Sequence, residues 1–141
     1  MFTAQVCKVQ IVCLSGIMEE MYVAQEVIRK YNQENGERTG NLFLPVAMDA
    51  TASDADVVIG IVGNYIEKAE VIDEAVKAGK KVLLFFSKYQ DPENTIPAES
   101  KAVEEFKKDK ESKYVCYDFC GRVDFDRLIS KSLDVIDESN I

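Results

Sequence analysis

Apolar and polar positions divide the chain into short apolar runs that alternate with amphipathic segments. The clearest part is a strand-length apolar run at residues 56–62, a helix-length segment at 65–78, and a second apolar run at 81–87. Runs that are apolar throughout are typical of strands buried on both faces of a sheet. This order therefore predicts a parallel strand-helix-strand unit whose sheet is covered by helices on both sides.

The same pattern extends on both sides of this unit. Further strands are predicted at residues 6–14, 41–48 and 113–119, and further helices at 17–32, at 97–109 and from Asp124 onward. Pro45 favours a sheet edge or a bulge for the second strand, because proline has no N–H for a ladder. Residues 49–55 are too few for an ordinary crossover. Five strands and four helices in alternation predict an α/β fold: a doubly wound five-stranded parallel sheet of flavodoxin-like order 2-1-3-4-5, in a three-layer sandwich.

Helix boundaries and inward faces follow from the positions of glycine and of the apolar residues. Gly36, in the turn-rich segment 35–41, is expected to stop the first helix. The residues expected to face the core are Tyr65, Ala69, Ile72 and Val76 in the second helix, Ala98, Ala102, Val103 and Phe106 in the third, and Phe125, Leu128, Ile129, Leu133 and Ile136 in the last.

Composition narrows the functional classes. A chain of 141 residues with 47% hydrophobic content predicts a single domain over residues 1–141. A net charge of −8 argues against nucleic acid and anionic membrane surfaces as partners. The lysines at 107, 108, 110 and 113 alternate with acids, which is typical of a solvated helix face. The sequence shows no signal-peptide pattern and no membrane-length apolar run, so we expect a cytoplasmic protein.

The chain has no histidine, and its four cysteines lack Cys-x-x-Cys spacing. We therefore expect neither a metal site nor a cofactor, and any catalysis would rest on carboxylates, Tyr, Lys or Cys. Cys7 and Cys13 lie six residues apart in one strand, too far for a disulfide with each other. They are predicted to be reduced and mostly buried.

Ligands of open α/β sheets bind where the strands end. Two turns at strand ends therefore supply the predicted substrate-binding residues, which are Ser15, Gly16, Gly63, Asn64 and Tyr65. The loop at residues 91–95 is expected to form the rim of this site. Acids follow both turns, at Glu19, Glu20, Glu67 and Glu70. Carboxylates disfavour a bare phosphate and favour a neutral nucleoside or a cationic nicotinamide ring.

The chain resembles a family over nearly its full length. The resemblance rests on the order and spacing of residues 9–16, 54–63, 70–86 and 99–106, and of Tyr117-Asp118 followed by Phe125 and Leu128. These segments resemble the small α/β domains that group with nucleoside 2-deoxyribosyltransferases and Toll/interleukin-1-receptor (TIR) domains. They look most like the uncharacterised TIR-like modules at the amino end of larger bacterial defence or signalling proteins.

The resemblance implies one of two functions. Active members of these families cleave or exchange an N-glycosidic bond in a nucleoside or NAD, using a glutamate at the start of the helix before the Gly-Lys strand. The matching position here is Val71, so the catalytic candidates are the adjacent Glu70 and, as second choice, Glu67. The loop before this position, residues 64–69, is also shorter than the glycine-rich, threonine-containing loop of these families. One hypothesis is a noncatalytic nucleotide-binding or assembly module in intracellular signalling or defence; the alternative is an N-glycosidase or deoxyribosyltransferase. Under either hypothesis the expected ligand is a small nucleoside or nucleotide. A homo-oligomer is compatible with both.

Overall fold

A computed structural model describes residues 3–16, 19–46, 55–88 and 96–138. Five strands alternate with four helices along the chain: β1 (Gln5–Cys13), α1 (Glu19–Thr39), β2 (Asn41–Pro45), β3 (Val57–Val62), α2 (Glu70–Lys77), β4 (Lys81–Ser87), α3 (Pro97–Glu111), β5 (Val115–Phe119) and α4 (Gly121–Glu138). None of the described helices is both long and apolar enough to span a membrane.

All five strands are parallel and lie in the order β2-β1-β3-β4-β5, which confirms the predicted fold class and strand order. β2 is an edge strand and ends at Pro45, as the proline indicates. Asp56 ties the start of β3 to β1: its N–H donates to the Lys8 carbonyl, and its carboxylate accepts from the Lys8 N–H at 2.9 Å. The predicted end of the second strand and the short link to the third lie largely outside the described residues.

Alternate residues of each strand enter two separate apolar layers. In β3, Val57, Ile59 and Ile61 pack towards α1 and α4, while Val58 and Val62 pack towards α2 and α3. β3 is buried at every position, because helices cover both of its faces. The three-layer sandwich follows from this division.

The first helix is longer than its sequence pattern indicates. α1 continues through Gly36 and stops at Gly40, which has φ +75° and donates its N–H to the Gly36 carbonyl. Gly36 is needed for packing: a Cβ there would meet Leu42 Cδ2 at 2.6 Å. The prediction that Gly36 ends the helix is therefore wrong, because a contact with β2 requires the glycine and Gly40 supplies the left-handed stop.

The second helix is shorter than predicted. α2 begins at Glu70, because Lys68 adopts φ 59°, which a right-handed helix cannot contain. Its buried residues are Ile72 and Ala75, whereas Tyr65 and Val76 are exposed. The predicted inward face is therefore correct at Ile72 and wrong at Tyr65 and Val76.

The predicted inward face of the third helix is correct at Val103 and Phe106 and wrong at Ala98 and Ala102. Ala98 and Ala102 are exposed, while Val103 and Phe106 pack against the sheet and Lys110 is buried. Lys110 Nζ lies 3.2 Å from Asp73 Oδ1 on α2 and sits near the rings of Phe106 and Tyr114. Burial acts to lower the pKa of Lys110, but its hydrogen bonds to Asp73 and Asp109 raise it overall. The interpretation of this lysine cluster as a wholly solvated face is wrong at Lys110, which joins α3 to α2.

The last helix shows the predicted stripe, with all five expected apolar residues buried, and it packs beside α1. Between these helices the Tyr31 hydroxyl oxygen lies 2.7 Å from Asp134 Oδ1 and 2.6 Å from Asp137 Oδ2. Burial and these two carboxylates hold the pKa of Tyr31 far above its ordinary value. All four cysteines are free, and Cys7 and Cys13 are buried as expected.

Candidate functional site

Two turns at the carboxyl ends of β1 and β3 are joined by a single serine. The Ser15 hydroxyl accepts the Gly63 N–H at 2.6 Å and donates to the Tyr65 carbonyl. A second link runs alongside, from the Glu67 N–H to the Leu14 carbonyl at 2.6 Å. Ser15 is buried. These bonds draw the segment after β3 across the end of β1.

This arrangement places Tyr65 and Glu67 over Gly16. A Cβ added at Gly16 would lie 2.6 Å from the Tyr65 hydroxyl oxygen and 3.4 Å from Glu67 Oε1. Gly16 also has φ +82°, a conformation that other residues rarely adopt. Glycine is therefore required here both by the backbone and by the close approach of these side chains.

A cavity of about 180 Å³ opens beside this contact. The described residues that line it are Ile11, Val12, Cys13, Gly16, Met21, Glu67 and Lys68. The wall of the cavity is apolar on the side of β1. On the opposite side, in the segment after β3, it carries Glu67 and Lys68. Lys68 is the non-glycine residue with positive φ in the described chain, and strained backbone of this kind concentrates at functional sites.

The structure brings most of the predicted site residues together. Ser15, Gly16, Gly63, Tyr65 and Glu67 share the contacts above, and Asn64 lies half-buried within the same segment. Glu70, the preferred catalytic candidate, is exposed at the first residue of α2 and is not among the described residues that line the cavity. The expected rim loop at 91–95 lies outside the described residues.

Several features of the site were missed from the sequence. Met21 and Cys13 contribute to the cavity wall, although apolar residues in an amphipathic helix and in a buried strand are ordinarily core residues. The left-handed Lys68 has no local signal, since lysine carries no preference for positive φ. Within the four described stretches of chain, no group of three or more Cys, Asp or Glu is arranged to hold a metal ion.

A larger groove, of about 420 Å³, lies elsewhere, between α1 and the outer edge of β2. It is lined in part by Gln25, Arg29 and Pro45, and it lies at the end of the edge strand β2 rather than at the ends of β1 and β3. We favour the smaller cavity as the functional site, because it adjoins the position where the strand order reverses.

We expect Ser15→Ala to lower the free energy of unfolding by about 1–2 kcal/mol, because it leaves the Gly63 N–H and the Tyr65 carbonyl without their partner in a partly buried place. Urea denaturation measures the change. Ser112→Ala is the matched control, since its hydroxyl bonds only the nearby Asp109 carbonyl at an exposed helix end. Equal stability of the two variants would contradict a structural role for Ser15.

The fold belongs to the open, all-parallel, doubly wound α/β class with flavodoxin-like strand order. The solution structure of a de novo designed PLOOP2X3_50 fold protein matches it with a TM-score of 0.51 and 14% identity, covering 97% of this chain and 98% of that one. No protein-family model and no curated protein sequence matches the chain.

Two further solved structures are similar at lower TM-scores. A de novo designed Rossmann 2x3 fold protein matches with a TM-score of 0.48 and 17% identity over 89% of this chain and 90% of that one. Homoserine dehydrogenase of S. aureus matches with a TM-score of 0.48 and 9% identity over 82% of this chain, which spans about a third of that enzyme's length.

Proposed function

We propose that this chain is a noncatalytic binding or assembly module, whose cavity at the ends of β1 and β3 takes a small uncharged or cationic ring such as a nucleobase or a nicotinamide. The observation that carries the proposal is the placement of Tyr65 and Glu67 over Gly16. In nucleotide-binding α/β folds a phosphate approaches the turn after the first strand. Here the chain's own carboxylate stands at that turn.

Charge and size support the same ligand class. Glu19 and Glu20 occupy the first turn of α1, so the acids repel phosphate from the helix end where it would otherwise bind. A cavity of about 180 Å³ suits one ring and is smaller than a cavity for a whole dinucleotide. The resemblance to TIR-like and deoxyribosyltransferase-like domains supports a nucleoside as the source of that ring.

The noncatalytic assignment rests on the position of the acids. The family's glutamate position holds Val71, which is half-buried, and Glu70 is exposed on the surface of α2. A carboxylate that stabilises an oxocarbenium-like carbon has to reach the bound sugar. Glu70 starts α2 outside the described cavity wall, so it is not placed to act on a ring bound there, and this supports binding without turnover by Glu70.

We expect nicotinamide riboside and adenosine to bind roughly tenfold or more tightly than their 5′-monophosphates, because the phosphate meets Glu67. Titration calorimetry on each matched pair measures the ratio. Glu67→Gln should reduce this ratio of affinities. Glu74→Gln removes an exposed acid of α2 and should leave the ratio unchanged. Tighter binding of either monophosphate to the wild type would contradict this ligand class. If no nucleoside binds, the assembly role alone is left.

A second function is favoured by one observation: the Glu67 carboxylate lines the cavity. In an N-glycosidase the C–N bond breaks, its electron pair leaves on the base nitrogen, and a carboxylate stabilises or traps the anomeric carbon until water attacks it. Incubation with NAD and deoxynucleosides, followed by assay of free base, tests this. Glu67→Gln should then lower turnover roughly a hundredfold or more, with Glu70→Gln as the comparison. Unchanged turnover in both variants would exclude Glu67 and Glu70 as catalytic carboxylates.

A further inference from the structure

β2 is one of the two edge strands among the five strands that the structure describes. β2 bonds to β1 through alternate residues: the Gly40 carbonyl accepts from the Gln5 N–H at 2.8 Å, and the Val46 N–H donates to the Val9 carbonyl at 2.9 Å. Main-chain groups alternate in direction along a strand, so the residues between them point their N–H and C=O away from the sheet. These outward residues are Asn41, Phe43 and Pro45.

Side chains from α1 occupy these outward groups. The Phe43 N–H donates to Asn32 Oδ1 at 2.9 Å, and Asn32 Nδ2 donates to the Phe43 carbonyl at 2.7 Å. The Asn41 N–H donates to Thr39 Oγ1 at 3.2 Å. Pro45 has no N–H to offer. Every donor that β2 could present at this edge is therefore either bonded within the chain or absent.

Asn32 reproduces what a neighbouring strand would supply. Its primary amide gives Phe43 one acceptor and one donor, the same pair of bonds that a peptide group exchanges in a sheet. The edge would otherwise invite another strand, because Leu44 and Val6 are exposed apolar residues, at 51% and 48%, on adjoining strands. Exposed apolar edge strands are templates for intermolecular pairing.

We propose that Asn32 is an edge block that prevents the β2 edges of two copies of this chain from pairing. The occupant that it excludes is a second copy, since the β2 edge can pair antiparallel with itself about a two-fold axis. The block operates while α1 is packed against β2, because Asn32 is carried on that helix. Any self-association of the wild type then uses another surface.

The test compares Asn32→Ala with Asn35→Ala by sedimentation velocity over a concentration series. Asn35 lies on the same helix, and its side-chain amide donates to the Tyr31 carbonyl of that helix. We expect Asn32→Ala to raise the association constant roughly tenfold or more, because it frees one donor and one acceptor per subunit. Asn35→Ala should behave as the wild type. A folded Asn32→Ala that associates no more than the wild type overturns the proposal.

A double variant locates the new contact. Leu44→Lys added to Asn32→Ala places a charge on the exposed face of β2, which should return association to the wild-type value. Persistent association of the double variant would overturn the assignment to this edge.

Amide hydrogen exchange in dilute wild-type protein tests the block without any substitution, and so can refute the proposal even if Asn32→Ala does not fold. The Phe43 N–H should exchange more slowly than an unbonded edge amide, since Asn32 accepts it. Exchange of the Phe43 N–H at the rate of an open edge would overturn the proposal.

Discussion

Phe85→Ala is expected to lower the free energy of unfolding by about 3–5 kcal/mol, the range for deleting a buried phenylalanine. Phe85 is fully buried at the centre of β4. Its ring stacks on Tyr117 of β5 at a centroid distance of 4.8 Å and meets Phe125 of α4 edge-on at 5.7 Å. Removal of the ring opens a cavity that β4, β5 and α4 share. Urea denaturation followed by circular dichroism measures the loss.

Val123→Ala is the control for this measurement. Val123 is 86% exposed in the first turn of α4, so its truncation should change the free energy of unfolding by under about 0.5 kcal/mol. A loss below about 1 kcal/mol in Phe85→Ala would contradict the central place of this ring. The same curves test the prediction of a single domain, since two separate transitions in the wild type would show independent units.

Stability should fall in alkaline solution as the Cys7 thiol ionises. Burial, followed by the charges of Asp56 and Asp137, raises the pKa of Cys7 from 9.0 to about 11. Between pH 9 and 11 the unfolded chain releases this proton while the folded protein retains it, so the unfolded state is favoured as pH rises. The contribution is fully present below pH 9 and is lost as pH rises through 11. Two pKa units correspond to roughly 2–3 kcal/mol.

Cys7→Val removes this titration and should flatten the fall of stability over that range. Cys120→Val, which alters an exposed thiol, should retain the wild-type slope. Tyr31 adds a further alkaline loss in all three proteins, because its pKa is also raised and its hydroxyl has to stay protonated in the fold. Equal slopes in Cys7→Val and Cys120→Val, measured by urea denaturation at each pH, would contradict the assignment to Cys7.

The candidate site was predictable in part. Ser15, Gly16, Gly63 and Tyr65 could be named because each follows directly on an apolar run, and parallel strands bring such turns to one edge of the sheet. The contacts that these residues make could not be predicted from the sequence. The two bonds of the Ser15 hydroxyl join groups that lie 48 and 50 residues away along the chain. Long-range pairing of this kind leaves no local pattern.

The different positions of Glu67 and Glu70 also needed the structure. Both acids belong to a segment that the helical period treats as one continuous helix. Lys68 in the left-handed conformation interrupts it, so that Glu67 stays beside Gly16 while Glu70 starts α2 at the surface. The bond from the Glu67 N–H to the Leu14 carbonyl ties the residue before this interruption to the end of β1.

The strand order, the edge position of β2 and the inward stripe of α4 were predictable from the sequence. Alternation of strands and helices limits the sheet to a few common strand orders, whereas the proline of β2 and the helical period of α4 are properties of neighbouring residues. Tertiary packing decided where α1 and α2 stop and that Lys110 is buried. Gly36 stays helical because Leu42 occupies the space of its absent side chain, and Lys110 enters the interior because Asp73 of another helix meets it. Such outcomes depend on partners distant in the chain, whose contacts outweigh local preferences of about 1 kcal/mol or less.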